Sequence, residues 1–283
     1  MYQKILVPID FTNKSLKAIQ MAKIIAHKTG AQVQLVHVIR AALAAYLDEL
    51  GNYKSKYETG QKFLDDIIEM NRTKMDEFIT KVELDGIKLD SSFKVDSSPD
   101  KIAELVTEEG FDLTIVGNYE HEKFDEFLRK THPEKIAALA KNPVITVNNA
   151  PADGTINRIL VPTNLVNDCS KKIDELLNFQ RTFAAKLNFV YINTPTYFKS
   201  TPELAQLQSA WAKNHGIDVN DITVFNALNL KKGILAAADF HQSDMIGLFS
   251  RHQGSVKHLV RGTITEWLIS KSDIPVITFN LNL

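Results

Sequence analysis

The stretch ILVPID, Ile5 to Asp10, occurs again as ILVPTN, Ile159 to Asn164, a shift of 154 residues. Further along, NPVITV, Asn142 to Val147, returns as IPVITF, Ile274 to Phe279, a shift of 132. Two matches in the same order mark a duplicated unit. Other pairs keep these offsets: LVHVI (Leu35 to Ile39) with FVYIN (Phe189 to Asn193) at 154, and Asp112-Leu113 with Asp244-Met245 at 132. The offset falls by 22 between about residues 40 and 95, so the second repeat is shorter there. NNAPADGTIN, Asn148 to Asn157, carries Pro, Gly and polar residues and reads as a linker. The expected units are residues 1–149 and 155–283.

Each repeat alternates strand and helix patterns. KILVPI is a continuous apolar run of strand length. In SLKAIQMAKIIAHKTG, Leu16, Ile19, Ala22 and Ile25-Ala26 share one helical face, and Gly30 follows its end. QVQLVHVI, KLDSSFKV, DLTIVG and PVITV read as the remaining strands, and PEKIAALAK as a helix. In SPDKIAELVTEEG, Ser98 suits an N-cap and Pro99 the first helical position. A stripe running from Leu64 through Ile67, Ile68, Met75, Phe78 and Ile79 to Val82 predicts a helix confined to the first repeat, where the offset changes. Apolar strands alternating with amphipathic helices predict an α/β fold, a doubly wound parallel sheet covered on both faces. Ligands in such sheets sit beyond the carboxyl ends of the strands, where strand order reverses.

The composition excludes several classes. The chain is 44% hydrophobic and 24% charged, ordinary for a globular protein. A formal net charge of −1 gives no bulk electrostatic argument for nucleic acid or membrane binding. Cys169 is the sole cysteine, so no disulfide framework arises within the chain, and a reducing, cytoplasmic setting is expected. MYQKILVPID, broken by Pro8 and Asp10, reads as a buried strand and not as a signal peptide or membrane span.

VPID followed five positions later by Ser15, HVI at the second strand end, and EKIAALAKNPVITV resemble the universal stress protein family. The resemblance covers both repeats and nearly the whole chain. It implies two tandem domains, each with a five-stranded parallel sheet of order 3-2-1-4-5. Nucleotide-binding members carry a phosphate signature after the fourth strand: Gly, two residues, Gly, nine residues, Gly, then Ser or Thr. Glycines let backbone approach phosphate, and a hydroxyl at a helix N-terminus adds a donor. Members also use the aspartate at the first strand end near the ribose, and backbone at the second strand end near adenine.

EKIAALAKNPV and EWLISKSDIPV align without gaps and place the signature. The first repeat has Gly117, Glu120, Lys130 and Thr131 at its four positions; the second has Phe249, His252, Gly262 and Thr263. The spacing survives, but only one glycine of three survives in each. Asp10 occupies the ribose position of the first repeat and Asn164 that of the second; Val38 and Ile192 occupy the adenine positions. Glu120 sets a carboxylate where phosphate is expected, and Phe249 and His252 set bulk there. The resemblance therefore implies ATP or another adenine nucleotide as ligand, and the substitutions imply degenerate sites. SRHQGSVKHLVRGT, Ser250 to Thr263, holds Arg251, His252 and Lys257 with no acid, and is a candidate weak anion site.

No GxGxxG, Walker P-loop, HExxH or GxSxG pattern occurs, and no nucleophile comes with its base, so neither catalytic residues nor a metal site are expected. His37 reads as a satisfied near-core residue, replaced by Tyr191 in the second repeat, and Cys169 as inert. The expected function is a non-catalytic stress-response or regulatory module. An ATP-binding sensor retaining nucleotide in one repeat is the alternative, and a hydrolase of a small phosphorylated ligand is the third class. Apolar final strands at sheet edges invite pairing. The repeats are therefore expected to pack as an internal pseudo-dimer through PVITV and PVITF, leaving a homo-oligomer or a regulatory protein partner to other surfaces.

Overall fold

The computed structural model describes residues 2–39, 57–82, 86–95, 105–106, 110–118, 133–250 and 263–281. The first repeat runs β1 (Lys4–Pro8), α1 (Asn13–Thr29), β2 (Gln32–Ile39), α2 (Tyr57–Thr80), β3 (Leu89–Val95), β4 (Leu113–Gly117), α3 (Pro133–Leu139) and β5 (Val144–Val147). The second runs β6 (Arg158–Pro162), α4 (Ser170–Phe183), β7 (Lys186–Asn193), α5 (Thr201–His215), β8 (Ile222–Asn226), α6 (Leu230–Phe240), β9 (Met245–Ser250), α7 (Ile264–Lys271) and β10 (Val276–Asn280). Leu105 and Val106, within the SPDKIAELVTEEG pattern, are helical and buried; Ser98 and Pro99 lie outside the described residues.

Local signals account for the ends. Gly30 closes α1 in the left-handed conformation at φ 72°, where a side chain would be strained. A capping box of Ser200 and Glu203 opens α5. The α1 stripe is buried as its spacing predicts, with Ile19, Ala22, Ile25 and Ala26 in the core. One expectation fails. The helix between the second and third strands is not confined to the first repeat: α5 stands there in the second, with 15 residues against the 24 of α2. The offset change shortens an element and its connections without deleting the helix.

All ten strands form one sheet, in the order β3-β2-β1-β4-β5-β10-β9-β6-β7-β8. Each repeat contributes the order 3-2-1-4-5, and the two sets of five are continuous. Every pairing is parallel except β5 with β10, which is antiparallel. The inner strands β1, β4, β5, β6, β9 and β10 are buried on both faces, as their unbroken apolar runs require, while the edge strands β3 and β8 are part-exposed. One apolar layer lies under α1 and α4 and the other under α6 and α7; both contain residues of the two repeats.

The β5–β10 register pairs Val144 with Thr278, Ile145 with Ile277, and Thr146 with Val276. Ile145 and Ile277 are equivalent at the offset of 132, so a pseudo-two-fold axis passes between them. Both are fully buried. Side chains reinforce the seam with the same symmetry. Asn148 Nδ2 donates to Ser272 O at 2.6 Å, beyond the last turn of α7, and its equivalent Asn280 Nδ2 donates to Ala138 O at 2.7 Å in the last turn of α3. Asn118 Nδ2 adds a bond to Ile269 O at 3.0 Å. Carbonyls at helix C-termini have no intrahelical donor, so these amides satisfy groups that would otherwise be buried alone.

Thr114 N–H donates to Pro143 O, and Asn118 N–H to Val147 O, so odd positions of β5 face β4 and even ones face β10. Thr146→Pro and, by the same alternation, Thr278→Pro each remove a seam donor. Either should lower the unfolding free energy by about 3 kcal/mol. Asn280→Leu should lower it by about 1–3 kcal/mol by orphaning Ala138 O. Urea denaturation followed by two probes measures both, and an unchanged midpoint would contradict the seam's role.

Candidate functional site

Strand order reverses between β1 and β4 in the first repeat and between β6 and β9 in the second. In doubly wound sheets the ligand crevice lies at such a point, beyond the carboxyl ends of the strands. Pairing of β1 with β2 ends at Pro8 and Val36, with one further bond from Ile9 N–H to Val36 O. Strand β2 therefore runs on past β1 from His37 to Ile39. Strand β7 does the same past β6, from Tyr191 to Asn193.

The turn from first strand to first helix is built alike in both repeats. Asp10 Oδ1 accepts from Thr12 N–H at 3.0 Å, Thr12 Oγ1 at 2.6 Å and Ser15 Oγ at 2.6 Å. Asn164 Oδ1 accepts from Val166 N–H at 3.1 Å and Asn167 N–H at 2.8 Å. Both make an Asx turn two residues on, a job that an amide oxygen does as well as a carboxylate. The residue between is forced into the left-handed region: Phe11 at φ 65° and Leu165 at φ 57°. A bulky residue there costs roughly 1–3 kcal/mol and persists only where its surroundings hold it. The Phe11 ring is held 4.4 Å from His37 and 5.6 Å from Phe78. His37 Nδ1 donates to Ile9 O at 2.8 Å, tying the end of β2 to the same turn. Tyr191 instead donates its hydroxyl to Tyr197 O at 2.6 Å, pinning the segment after β7.

The repeats diverge at the fourth strand. Gly117, at the end of β4, lies so close to α1 that a Cβ would sit 2.6 Å from Lys14 O. Its equivalent is Phe249, whose ring packs 5.5 Å from Phe279. A side chain there is incompatible with a helix turn seated as α1 is. Accordingly α4 begins at Ser170, three residues later than the equivalent of Asn13. The close approach at Gly117 thus goes with an early helix start, and Phe249 with a late one.

Val38 and Ile192 are buried side chains at the extended ends of β2 and β7, leaving only backbone to meet a ligand. Thr263 is the N-cap of α7: its Oγ1 accepts from Glu266 N–H at 3.1 Å, and Glu266 Oε2 accepts from Thr263 N–H at 3.2 Å. Glu120, Lys130, Thr131, Arg251, His252, Lys257 and Gly262 lie outside the described residues. The structure thus brings Asp10, Val38 and Gly117 to one crevice and Asn164 and Ile192 to the other, with Thr263 opening the helix before β10.

The Universal stress protein family model matches residues 1–148. This chain belongs to that family. Universal stress protein MJ0577 of Methanocaldococcus jannaschii is 26% identical over 154 residues, 52% of this chain and 95% of that protein. A universal stress protein from Archaeoglobus fulgidus superposes with a TM-score of 0.68 at 19% identity, covering 98% of both chains. A universal stress protein-like structure from Pseudomonas aeruginosa gives 0.61 at 15% identity, covering 99% of this chain and 93% of its own. The second repeat, beyond the family match, keeps the same strand order.

Sequence reading missed one cluster beside the second crevice. His215 Nε2 accepts from Cys169 N–H at 3.2 Å, Nδ1 donates to Trp211 O at 2.8 Å, and the ring stacks on Trp211. Hydrogen bonds from Ser170 hold the Asp168 carboxyl below its ordinary value. With Nε2 accepting from a backbone N–H, the imidazole clamps the start of α4. Cys169 and His215 are 46 residues apart, and no motif spacing links them. Among the described residues no group of three or more His, Cys, Asp or Glu is placed to hold a metal, and no helix is long and apolar enough to cross a membrane.

Gly117→Ala should destabilise the chain by about 1–3 kcal/mol through overpacking against Lys14 O. Gly247→Ala is the control: its Cβ would meet side-chain atoms no nearer than 3.5 Å, so it should cost less. Equal denaturation midpoints for the two variants would contradict the close approach.

Proposed function

We propose that this universal stress protein is a non-catalytic regulatory module of the stress response. It is an internal pseudo-dimer of repeats 1–149 and 155–283, with nucleotide sites that have diverged from the family's form. The observation that carries this reading is Phe249, which stands where Gly117 meets Lys14 O in the other repeat. With the glycine gone and α4 starting late, the end of β9 does not offer the close backbone approach seen at Gly117, of the kind that phosphate binding uses. The hydroxyl of Thr263 is engaged in its capping box. No nucleophile–base pair stands in either crevice among the described residues, and the one histidine near the cysteine is occupied. The setting is cytoplasmic, and a homo-oligomer or a regulatory protein partner would use surfaces other than the seam.

One observation favours a second reading, an ATP-binding sensor in the first repeat. Gly117 is retained there, and Asp10 Oδ2 has no hydrogen bond from a described residue, leaving it open to a ribose hydroxyl. Adenine nucleotide released on denaturation, measured by mass spectrometry, separates the readings. Our reading expects far less than one nucleotide per chain, and little rise in melting temperature with millimolar ATP and magnesium. A ligand at 100 times its dissociation constant stabilises by about 2.7 kcal/mol, which a thermal shift detects readily. A clear shift abolished by Asp10→Ala would establish the sensor instead.

A further inference from the structure

The sheet has two outer edges, β3 in the first repeat and β8 in the second. Ala227 N–H donates to Asn193 O, so odd positions along β8 face β7. By alternation Val224 and Asn226 turn their N–H and C=O groups outward. Ile222 O points the same way, and Gln208 Nε2 donates to it at 3.1 Å. Strand β8, ITVFN, carries no charge. Exposed hydrocarbon surrounds it. Val224 is exposed on the face where Ile222 is buried. On the opposite face Phe225 packs 5.8 Å from the ring of Phe240, which is 73% exposed. Leu228, in the turn that follows, is 91% exposed.

The pseudo-two-fold supplies a comparison within the chain. Val38 pairs with Lys94, and its equivalent Ile192 pairs with Phe225, so Lys94 stands where Phe225 does. At the offset of 132, Phe240 corresponds to Glu108. That offset holds along this helix, because buried Leu105 and Val106 match buried Ala237 and Ala238. A lysine and a glutamate thus replace the two phenylalanines, and Asp90 puts a second charge on β3. Charged side chains, Lys above all, are how an edge strand avoids pairing. The first repeat guards its edge in this way and the second does not. The fold itself gains little from a Phe240 ring left mostly in water.

We propose that β8 is the interface with a second copy of this chain, joined antiparallel about a two-fold axis at Val224. Val224 exchanges both N–H···O bonds with Val224 of the second copy. Thr223 then faces Phe225 across the strands, and Phe240 covers that pair. Charge selects this occupant and this direction. Asp218 and Asp221 lie just before or at the start of β8, and Lys231 and Lys232 lie beyond its end, in the first turn of α6. Antiparallel pairing sets the acids of each copy toward the lysines of the other, twice by symmetry; parallel pairing would set like against like. Only one end of the sheet is unguarded, so the contact is isologous and closes at a dimer, where a contact between the two different ends would grow a filament. This inference rests on the reading that the β5–β10 seam is used up within the chain.

Sedimentation velocity and light scattering on the full chain read the mass. At about 100 µM the parent should have the mass of two chains and no more. Phe225→Lys combined with Phe240→Glu installs the residues of the sister edge; it should fold and stay a monomer. Phe240→Glu alone, at an exposed ring, should weaken the dimer without touching the core. Val224→Pro removes an outward N–H and no ladder donor, and should weaken it at least roughly tenfold. Asp221→Lys should also weaken it, and adding Lys232→Asp should restore it. A monomeric parent overturns the proposal, even if another protein binds the edge. So does a dimer that the double variant leaves intact, a mass that keeps growing with concentration, or a charge reversal that brings no rescue. A dimer broken by Thr146→Pro and indifferent to changes in β8 would place the seam between chains, and would overturn the internal pseudo-dimer as well.

Discussion

The antiparallel pairing of β5 with β10 is the constraint on which the other features depend. A parallel sheet of five strands ends in an apolar edge, and an apolar edge with free N–H and C=O groups pairs with whatever reaches it. Here each repeat covers the other's edge, three register pairs long, centred on Ile145 and Ile277. Three pairs are too few to define an interface alone. The amides of Asn118, Asn148 and Asn280 extend it into the helices on the far side, by bonding carbonyls at their C-terminal ends. Backbone pairing sets the register, and these side chains fix the angle at which α3 and α7 meet. Both apolar layers then run unbroken across the axis.

Beyond the seam the repeats obey the same rules with different outcomes. The Asx turn after the first strand is kept in both, together with its left-handed residue, because it carries the chain from sheet to helix. Asp and Asn both satisfy that turn, so the geometry alone does not select the charge of Asp10. The start of the helix varies with the space at the end of the fourth strand. Gly117 admits the first turn of α1; Phe249 packs on Phe279 and goes with a late start. A single position thus tracks where the helix begins, although it lies over a hundred residues from the helix in the first repeat and about eighty in the second.

Much of this was legible in the sequence because the duplication made it so. The repeats of ILVP and PVIT located the strands, and their unbroken apolar character required burial on two faces. The helix α5 was misjudged because an offset counts residues and not elements: a connection can lose residues while its helix survives. The Cys169–His215 clamp was invisible because 46 residues of strand and helix lie between partners that meet only in three dimensions. Asn148, just after β5, and Asn280, at the end of β10, stood in plain view at the shared offset of 132. Their role needed one further fact, that the two strands lie side by side and opposed.

Joining two repeats in one chain removes a restriction that symmetry imposes on a homodimer. In an isologous interface every residue near the axis appears twice, so a lysine placed there faces its own copy. The helices α1 and α4 pack against each other across this axis. Lys172 on α4 corresponds to Ala18 on α1 and Glu175 to Met21, so the polar pair occurs once in this chain and not twice. A second copy of the pair would double the cost of burying a lysine and an orphaned carboxylate oxygen. The tandem arrangement confines the polar pair to one side while the other keeps the dry packing that holds the seam. Functional divergence near the axis is therefore open to this chain in a way that is closed to a symmetric pair of single-domain molecules.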